Sequence, residues 1–183
     1  MFVISPPEIT CWTFPDDAVP GKAAFLGYFS DPSETWVLAY SLTLSVLVDE
    51  IIAAHKGGTP LHMYVDHSQS VSHTQAAAVG RLAQAGVEVT IGTSYAGRGF
   101  IAHEKGYATA NGDCWEGSTN FSQTAWQQIN TAMQFNSSVY RDNLKETFAK
   151  AVEYAWTHER AYQVMQEPPA ATGPLAKVLI DPV

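Results

Sequence analysis

Polar side chains in one short stretch of the chain have the chemistry needed to hold and attack a phosphodiester. His103 and Lys105 come first, and Ser118 and Asn120 follow Gly117 further along. An imidazole can attack phosphorus and form a covalent intermediate, which divides one difficult displacement into two easier ones. The ammonium, hydroxyl and amide groups can hold the phosphate oxygens on which charge develops. The stretch therefore predicts a phosphate site with a histidine nucleophile.

The spacing within each pair favours a shared orientation. His103 and Lys105 lie two residues apart, so on a strand both side chains point to one face. Ser118 and Asn120 have the same separation, and Asn120 is also predicted to cap a helix that starts near residues 120–122. The first amides of such a helix would favour an anion. Either pair alone is also typical of an ordinary strand or turn, so the prediction depends on their occurring together.

The composition predicts a soluble, cytoplasmic protein without a membrane span. The chain of 183 residues is 46% hydrophobic, which is enough for one compact core. Residues 1–8 carry two prolines and no basic segment, which argues against a signal peptide. Cys11 and Cys114 are too few for a disulfide framework or a zinc cage and are expected to be reduced. The net charge of −8 disfavours tight, nonspecific binding to duplex DNA but is compatible with a local positive cleft.

Strand and helix patterns alternate around this stretch. Short apolar or alternating runs predict strands at residues 10–14, 35–40, 61–65, 87–91 and 132–139. Helical periodicity predicts helices at residues 21–30, 44–55, 72–85 and 141–162. This order implies right-handed crossovers and an α/β fold with a mixed, largely parallel sheet flanked by helices.

Regions outside the main stretch carry weaker indications. Residues 1–166 are predicted to form one domain, followed by a Pro-rich linker and C-terminal tail at residues 167–183. Arg98 lies in a Gly-rich loop and is either an ordinary loop residue or a contact to the substrate phosphate. Asp66 and His67, at the end of a predicted strand, are a plausible rim of the cleft.

The paired segments resemble a known family signature. His103-x-Lys105 followed by Gly117-Ser118-x-Asn120 is similar to the motif of the phospholipase D superfamily. The resemblance is strongest to the short bacterial endonucleases of that family, which carry one motif per chain. Residues 36–41 resemble the first core strand of the family, and the similarity extends over residues 20 to 160.

The resemblance implies a phospholipase D-like fold and a metal-independent phosphodiesterase that forms a phosphohistidine, most naturally an endonuclease. His103 would be the nucleophile, with Lys105, Ser118 and Asn120 binding the phosphate beside Gly117. A second histidine must protonate the leaving group. With one motif per chain, the family pattern implies a homodimer whose two histidines meet across a two-fold axis. Nucleic acid is the expected substrate, and no metal or cofactor is implied.

The sequence departs from the family pattern at two positions. Ala110 stands where the motif has an acidic residue, and Thr131 stands where the family places a carboxylate that orients the histidine. Thr131 and Gln134 are the candidate replacements, and neither carries charge. The sequence therefore leaves two alternatives to the endonuclease: a degenerate binding protein, and a phosphodiesterase acting on phospholipid or another small phosphodiester.

Overall fold

One mixed sheet organises the chain, which a computed structural model describes over residues 8–30, 33–70, 73–97, 99–158 and 162–163. Its strands are β1 (Ile9–Phe14), β2 (Thr35–Ala39), β3 (Leu61–Asp66), β4 (Val89–Gly92), β5 (Lys105–Thr109), β6 (Asp113–Gly117), β7 (Asn130–Asn136) and β8 (Tyr162–Gln163). The helices are α1 (Ala18–Gly27), α2 (Ser45–Lys56), α3 (His67–Ser70), α4 (His73–Gln84) and α5 (Ser138–His158). The strands follow the order β1-β7-β6-β5-β2-β3-β4-β8 across the sheet.

The central strand β2 is buried along its whole length because helices cover both of its faces. Val37 and Ala39 pack into the larger apolar core together with residues of α1, α2 and α4. Leu38 packs on the other side, in a smaller core formed with α5. A short, almost wholly apolar run such as residues 35–39 is the sequence that a strand in this position requires.

The α/β class and the mixed sheet are confirmed, with parallel pairing confined to the centre. Within the described residues, β2–β3 and β3–β4 are the parallel pairs, each joined by a helical crossover. The remaining pairs are antiparallel. The strands β5, β6 and β7 form an antiparallel meander. The sequence pattern did not predict β5 and β6, because Gly, Ala, Thr and Asn interrupt the apolar alternation between residues 105 and 117.

Most predicted elements occur at their expected places, but the helix predicted near residues 120–122 is wrong. Phe121 instead pairs with Leu42 in a parallel bridge, and its amide donates to the Ser41 carbonyl at 3.1 Å. A single 3-10 turn follows at Ala125–Gln127. Asn120 therefore caps no helix, because the chain at this point is held by the end of β2.

The C-terminal part of the chain also differs from the expectation. The long helix begins at Ser138 and ends at His158, and Tyr162–Gln163 form a short strand beside β4 rather than a last helical turn. The predicted linker and tail at residues 167–183 lie outside the described residues, so the domain boundary stays a prediction. Both cysteines are free, with Cys11 exposed and Cys114 buried. None of the described helices combines the length and the apolar character needed to cross a membrane.

Candidate active site

The sheet topology brings the histidine-lysine segment and the glycine-serine segment to the same end of the strands, which is the carboxyl-terminal end of the parallel strands. Lys105 at the start of β5 pairs with Ala39 at the end of β2. The β5–β6 register pairs Tyr107 with Trp115, and continuing it places Lys105 opposite Gly117. The parallel strands β2, β3 and β4 all finish at this end, which is where ligands bind in open α/β sheets. We call this end, formed by Tyr40, Asp66, Lys105 and Gly117, the site end.

Backbone hydrogen bonds fix both segments to the ends of the central strands. The Tyr40 amide donates to the Glu104 carbonyl at 2.8 Å. The Ala102 amide donates to Asp66 Oδ2 at 2.6 Å. The residue after Asn120 is held by Ser41, through the bond from the Phe121 amide. The histidine-lysine segment and the glycine-serine segment are therefore anchored to the same rigid edge.

His103 is exposed to solvent at the site end, and its ring packs against the ring of Tyr40. Its ring centroid lies 4.6 Å from that of Tyr40. Partial desolvation and the nearby Lys105 lower the His103 pKa below its ordinary value of 6.5, while the charge of Asp66 acts in the opposite direction. The lowered pKa favours the neutral imidazole, which is the form that can act as a nucleophile.

Lys105 is the buried cation of the site, with a side chain only 4% exposed. Its Nζ donates to the His103 carbonyl and lies 5.1 Å from the centroid of the Tyr40 ring. Burial lowers the Lys105 pKa, and the carboxyl groups of Glu104, Glu116 and Asp66 act to raise it. The ammonium thus uses one N–H donor on the His103 carbonyl, and its other N–H groups can bind an anion.

The glycine-serine segment is shaped by its contact with β7. A Cβ on Gly117 would stand 2.3 Å from the Thr131 carbonyl, so only glycine allows this close approach. Ser118 Oγ accepts a hydrogen bond from the Thr131 amide at 2.9 Å, and the Ser118 amide donates to the Thr131 carbonyl at 2.9 Å. Thr131 therefore holds Ser118 through its backbone.

Asn120 carries unused hydrogen-bonding capacity at the site end. Its Oδ1 is buried and has no hydrogen-bond partner among the described residues. An unsatisfied buried polar atom costs about 1–3 kcal/mol. The other such atoms among the described residues are the indole nitrogens of Trp12, Trp115 and Trp126, so Asn120 is the one that lies at the site end. Rotation of the same amide presents its NH₂ group, which is a donor for a phosphate oxygen.

Two other predicted site residues lie away from these segments or outside the described residues. Gln134 is in the middle of β7, opposite Trp115, and its side chain bonds to Tyr28. It is therefore not placed to orient His103. Arg98 is outside the described residues, so its predicted phosphate contact stays a prediction.

Ala110 follows the last residue of β5. It therefore lies at the opposite end of this strand from Lys105. The two positions are five residues apart along the strand, a distance of about 16 Å. The Ala110 amide donates to the Glu34 carbonyl at 2.7 Å, and its carbonyl accepts from Arg141 Nη1 at 2.9 Å. We call this end, formed by Glu34, Ala110 and Arg141, the far end. An acidic residue at position 110 would therefore lie in a turn at the far end, away from Lys105.

A carboxyl pair that the sequence did not indicate lies beside the site, on the face covered by α5. An added Cβ on Gly106 would stand 2.6 Å from Glu116 Oε2, 2.7 Å from the Tyr140 hydroxyl and 3.0 Å from Glu104 Oε1. The Tyr140 hydroxyl donates to Glu116. Burial and the adjacent Glu116 raise the Glu104 pKa to about 8, so this pair holds one proton at neutral pH. Only the fold brings these residues together.

Asp66 has a larger part in the site than its sequence context indicated. It is fully buried and anchors the residue before His103. Its place at the end of a predicted strand was the one available signal. No group of three or more His, Cys, Asp or Glu side chains suited to a metal ion occurs among the described residues.

A mixed α/β sheet with these two segments at its carboxyl edge defines the phospholipase D-like class of proteins. The family model described as "Cardiolipin synthase, PLD-like domain" matches residues 31–156, and the chain belongs to that family. No curated protein matches the sequence significantly.

Solved structures show the same fold at low sequence identity. The phospholipase D family member Nuc from Salmonella typhimurium has a TM-score of 0.71 and 20% identity, over 86% of this chain and 99% of its own. NucT from Helicobacter pylori has a TM-score of 0.72 and 13% identity, over 81% and 98%. The phosphatidylserine synthase of Haemophilus influenzae has a TM-score of 0.58 and 8% identity, over 91% and 43%.

Proposed function

We propose that the protein is a metal-independent phosphodiesterase that works through a phosphohistidine, and specifically an endonuclease. The observation that carries the proposal is the strand register, which brings the histidine-lysine segment and the glycine-serine segment to the site end. The lowered pKa of His103 favours the neutral imidazole that attacks phosphorus. The buried Lys105 ammonium and the Asn120 amide, whose Oδ1 has no partner among the described residues, can hold the phosphate oxygens.

The proposed reaction has two steps. A ring nitrogen of His103 attacks phosphorus, and the bond from phosphorus to the leaving oxygen breaks as that oxygen takes a proton from a second imidazolium. Water then attacks the phosphorus and gives a proton to the second imidazole, and the bond from phosphorus to the His103 nitrogen breaks. Both rings return to their starting states, and Lys105, Ser118 and Asn120 hold the phosphate oxygens throughout.

The second imidazolium is proposed to be His103 of another copy, in a homodimer with the site on its two-fold axis. The family motif occurs once in this chain, which leaves one motif histidine for two roles. The residues that lead into the motif support an interface there, since Phe100 is 61% and Ile101 45% exposed. Light scattering after size exclusion should give twice the chain mass, and a fully active monomer would contradict the dimer.

A phospholipid or another small phosphodiester is the second candidate substrate. The exposed Phe100 and Ile101 beside the nucleophile would suit an acyl chain, and the net charge of −8 is unfavourable to a long polyanion. The similarity to a phosphatidylserine synthase is consistent with this alternative. The catalytic residues and both chemical steps would be the same.

The test is to trap the covalent intermediate. The protein is incubated in EDTA at pH 5–8 with plasmid DNA, single-stranded DNA, bis(4-nitrophenyl) phosphate or phosphatidylglycerol vesicles, and is then quenched. We expect an acid-labile, base-stable phosphate on His103 and cleavage of the DNA. His103→Asn should lose both, with a rate loss of about a thousandfold or more.

The matched control is His158→Asn, which makes the same change on the exposed end of α5, where the ring stacks on Tyr154. It should retain full activity. Adduct formation with vesicles and none with DNA would identify the lipid alternative. Binding without any adduct on any substrate would overturn the enzyme and identify a degenerate binding protein.

A further inference from the structure

Asp66 is a fully buried carboxylate at the end of β3, beside the nucleophile segment. Its Oδ1 accepts a hydrogen bond from the Ser68 amide at 2.8 Å. Its Oδ2 accepts one from the Ala102 amide at 2.6 Å. Both are main-chain donors, so the carboxylate is bonded to the backbone of two separate segments of the chain. A buried charge held in this way is expensive to keep, which points to a role beyond packing.

A buried polar network prevents this carboxylate from moving. The Asp66 carbonyl accepts hydrogen bonds from Ser70 Oγ at 2.8 Å and from Gln75 Nε2 at 3.4 Å. Gln75 is fully buried, and its Oε1 accepts from the Leu42 amide at 2.8 Å. The network joins β3, α3, α4 and the segment after β2, which also holds Phe121. Asp66 is therefore fixed with respect to both halves of the site.

The charge of Asp66 acts on both motif residues of the nucleophile segment. It acts to raise the pKa of His103 and the pKa of Lys105, against the lowering caused by burial. The other charged or titratable groups described around His103 are Tyr40 from the end of β2, Lys105 from β5, and Glu104 with Glu116, which act on Lys105. Asp66 is the one among them that bonds to the backbone leading into His103.

We propose that Asp66 is the positioning acid of this site: its buried carboxylate fixes the backbone directly before His103 and supplies the negative charge that supports the imidazolium. The inference deepens the proposed function and rests on it. It also accounts for the two departures from the motif. Neither Ala110 nor Thr131 carries a charge, and Ala110 lies at the far end, whereas Asp66 has a carboxylate bonded to the residue before His103.

The test is Asp66→Asn in the full chain, with two readouts. The first is the titration of the His103 ring followed by NMR, which needs no substrate. Removal of the charge should lower the His103 pKa further, because the group that opposes the desolvation is lost. The second is the pH profile of phosphoenzyme formation, whose acid limb should move to lower pH, with a maximal rate reduced by about tenfold or more.

Two further variants distinguish the effect of losing the Asp66 charge from the effect of disturbing the folded structure. Asp142→Asn removes a carboxylate near the far end, where it pairs with Arg141, and should leave the His103 titration unchanged. Asp66→Glu restores the charge and should return the His103 pKa towards that of the unsubstituted chain. A folded Asp66→Asn protein with an unchanged His103 titration and pH profile would overturn the proposal.

A measurement on the unsubstituted chain covers the case in which Asp66→Asn does not fold. Ala102 lies outside the strands and is half-buried, yet its amide donates to a buried carboxylate. Its amide proton should exchange with solvent as slowly as those of β2, and rapid exchange would overturn the proposal. The proposed function fails separately, if no phosphohistidine forms in the unsubstituted protein.

Discussion

Asparagines at the two ends of the sheet are used differently. At the far end, Asn136 donates to the Asn111 carbonyl at 3.1 Å and to Asp113 Oδ1 at 2.9 Å. At the site end, the buried Oδ1 of Asn120 has no partner among the described residues. The Asn136 amide at the far end is bonded and holds a turn, whereas the Asn120 amide at the site end keeps hydrogen-bonding capacity that a ligand can use.

The acidic position of the motif, which is Ala110 in this chain, lies at the far end and not at the site end. A motif written along the sequence treats the acidic position as part of the same site as the histidine. In the fold, β5 carries that position away to the far end, where the Ala110 backbone is bonded to Glu34 and Arg141. The departure therefore concerns a structural turn and does not argue against catalysis.

The largest difference between the two ends should appear when their lysines are compared. Each end places a lysine over an aromatic ring: Lys105 over Tyr40 at 5.1 Å and Lys145 over Trp36 at 4.1 Å. Lys105→Met should reduce phosphoenzyme formation by about a hundredfold or more, since a donor to the developing charge is lost. Lys145→Met should leave the rate within about twofold and lower the free energy of unfolding by about 0.5–1 kcal/mol. Equal rates for the two variants would remove Lys105 from the site.

The two asparagines should give opposite results in activity and stability. Asn120→Ala removes a group that makes no hydrogen bond through Oδ1, so the rate should fall roughly tenfold with little loss of stability. Asn136→Ala removes two hydrogen bonds and should destabilise the fold by about 1 kcal/mol at unchanged rate. Denaturant unfolding and initial rates on the same preparations measure both effects. A large stability loss in Asn120→Ala would show that its amide is structural.

The carboxyl groups predict a pH effect confined to the site end. The Glu104 pKa is raised from 4.5 to about 8 in the fold. Its contribution to stability is therefore fully present below pH 4.5 and is lost as the pH rises to about 8. Glu104→Gln keeps a donor towards Glu116 without titrating, so its unfolding temperature should fall less between pH 5 and 9. Glu34→Gln at the far end, where the carboxylate meets His62 at 2.8 Å, should keep the alkaline decline of the unsubstituted chain.

The smallest effect is expected from restoring the acid of the motif. Ala110→Asp should leave phosphoenzyme formation within about twofold, because about 16 Å of strand separates this position from Lys105. Its influence should be limited to stability, through a new charge near Arg141. An increase of tenfold or more in the rate would show that the far end is coupled to the site and would contradict the separate roles of the two ends.

Local sequence determined the elements whose residues carry their own pattern. The buried run at residues 35–39 and the amphipathic stripe of α2 needed no tertiary information, because apolar periodicity reports the face that is buried. The helix predicted after Asn120 failed because the pairing of Phe121 with Leu42 overrides local propensity.

The residue types and spacing of His103, Lys105, Ser118 and Asn120 predict a phosphate site, since the functional group of each side chain is known from the sequence. Only the tertiary structure decided which of the remaining residues belong with them. It placed Ala110 and Gln134 away from the site and brought Asp66 to the histidine segment. Strand pairing joins residues that are distant along the chain, and no local pattern encodes the registers that set those distances.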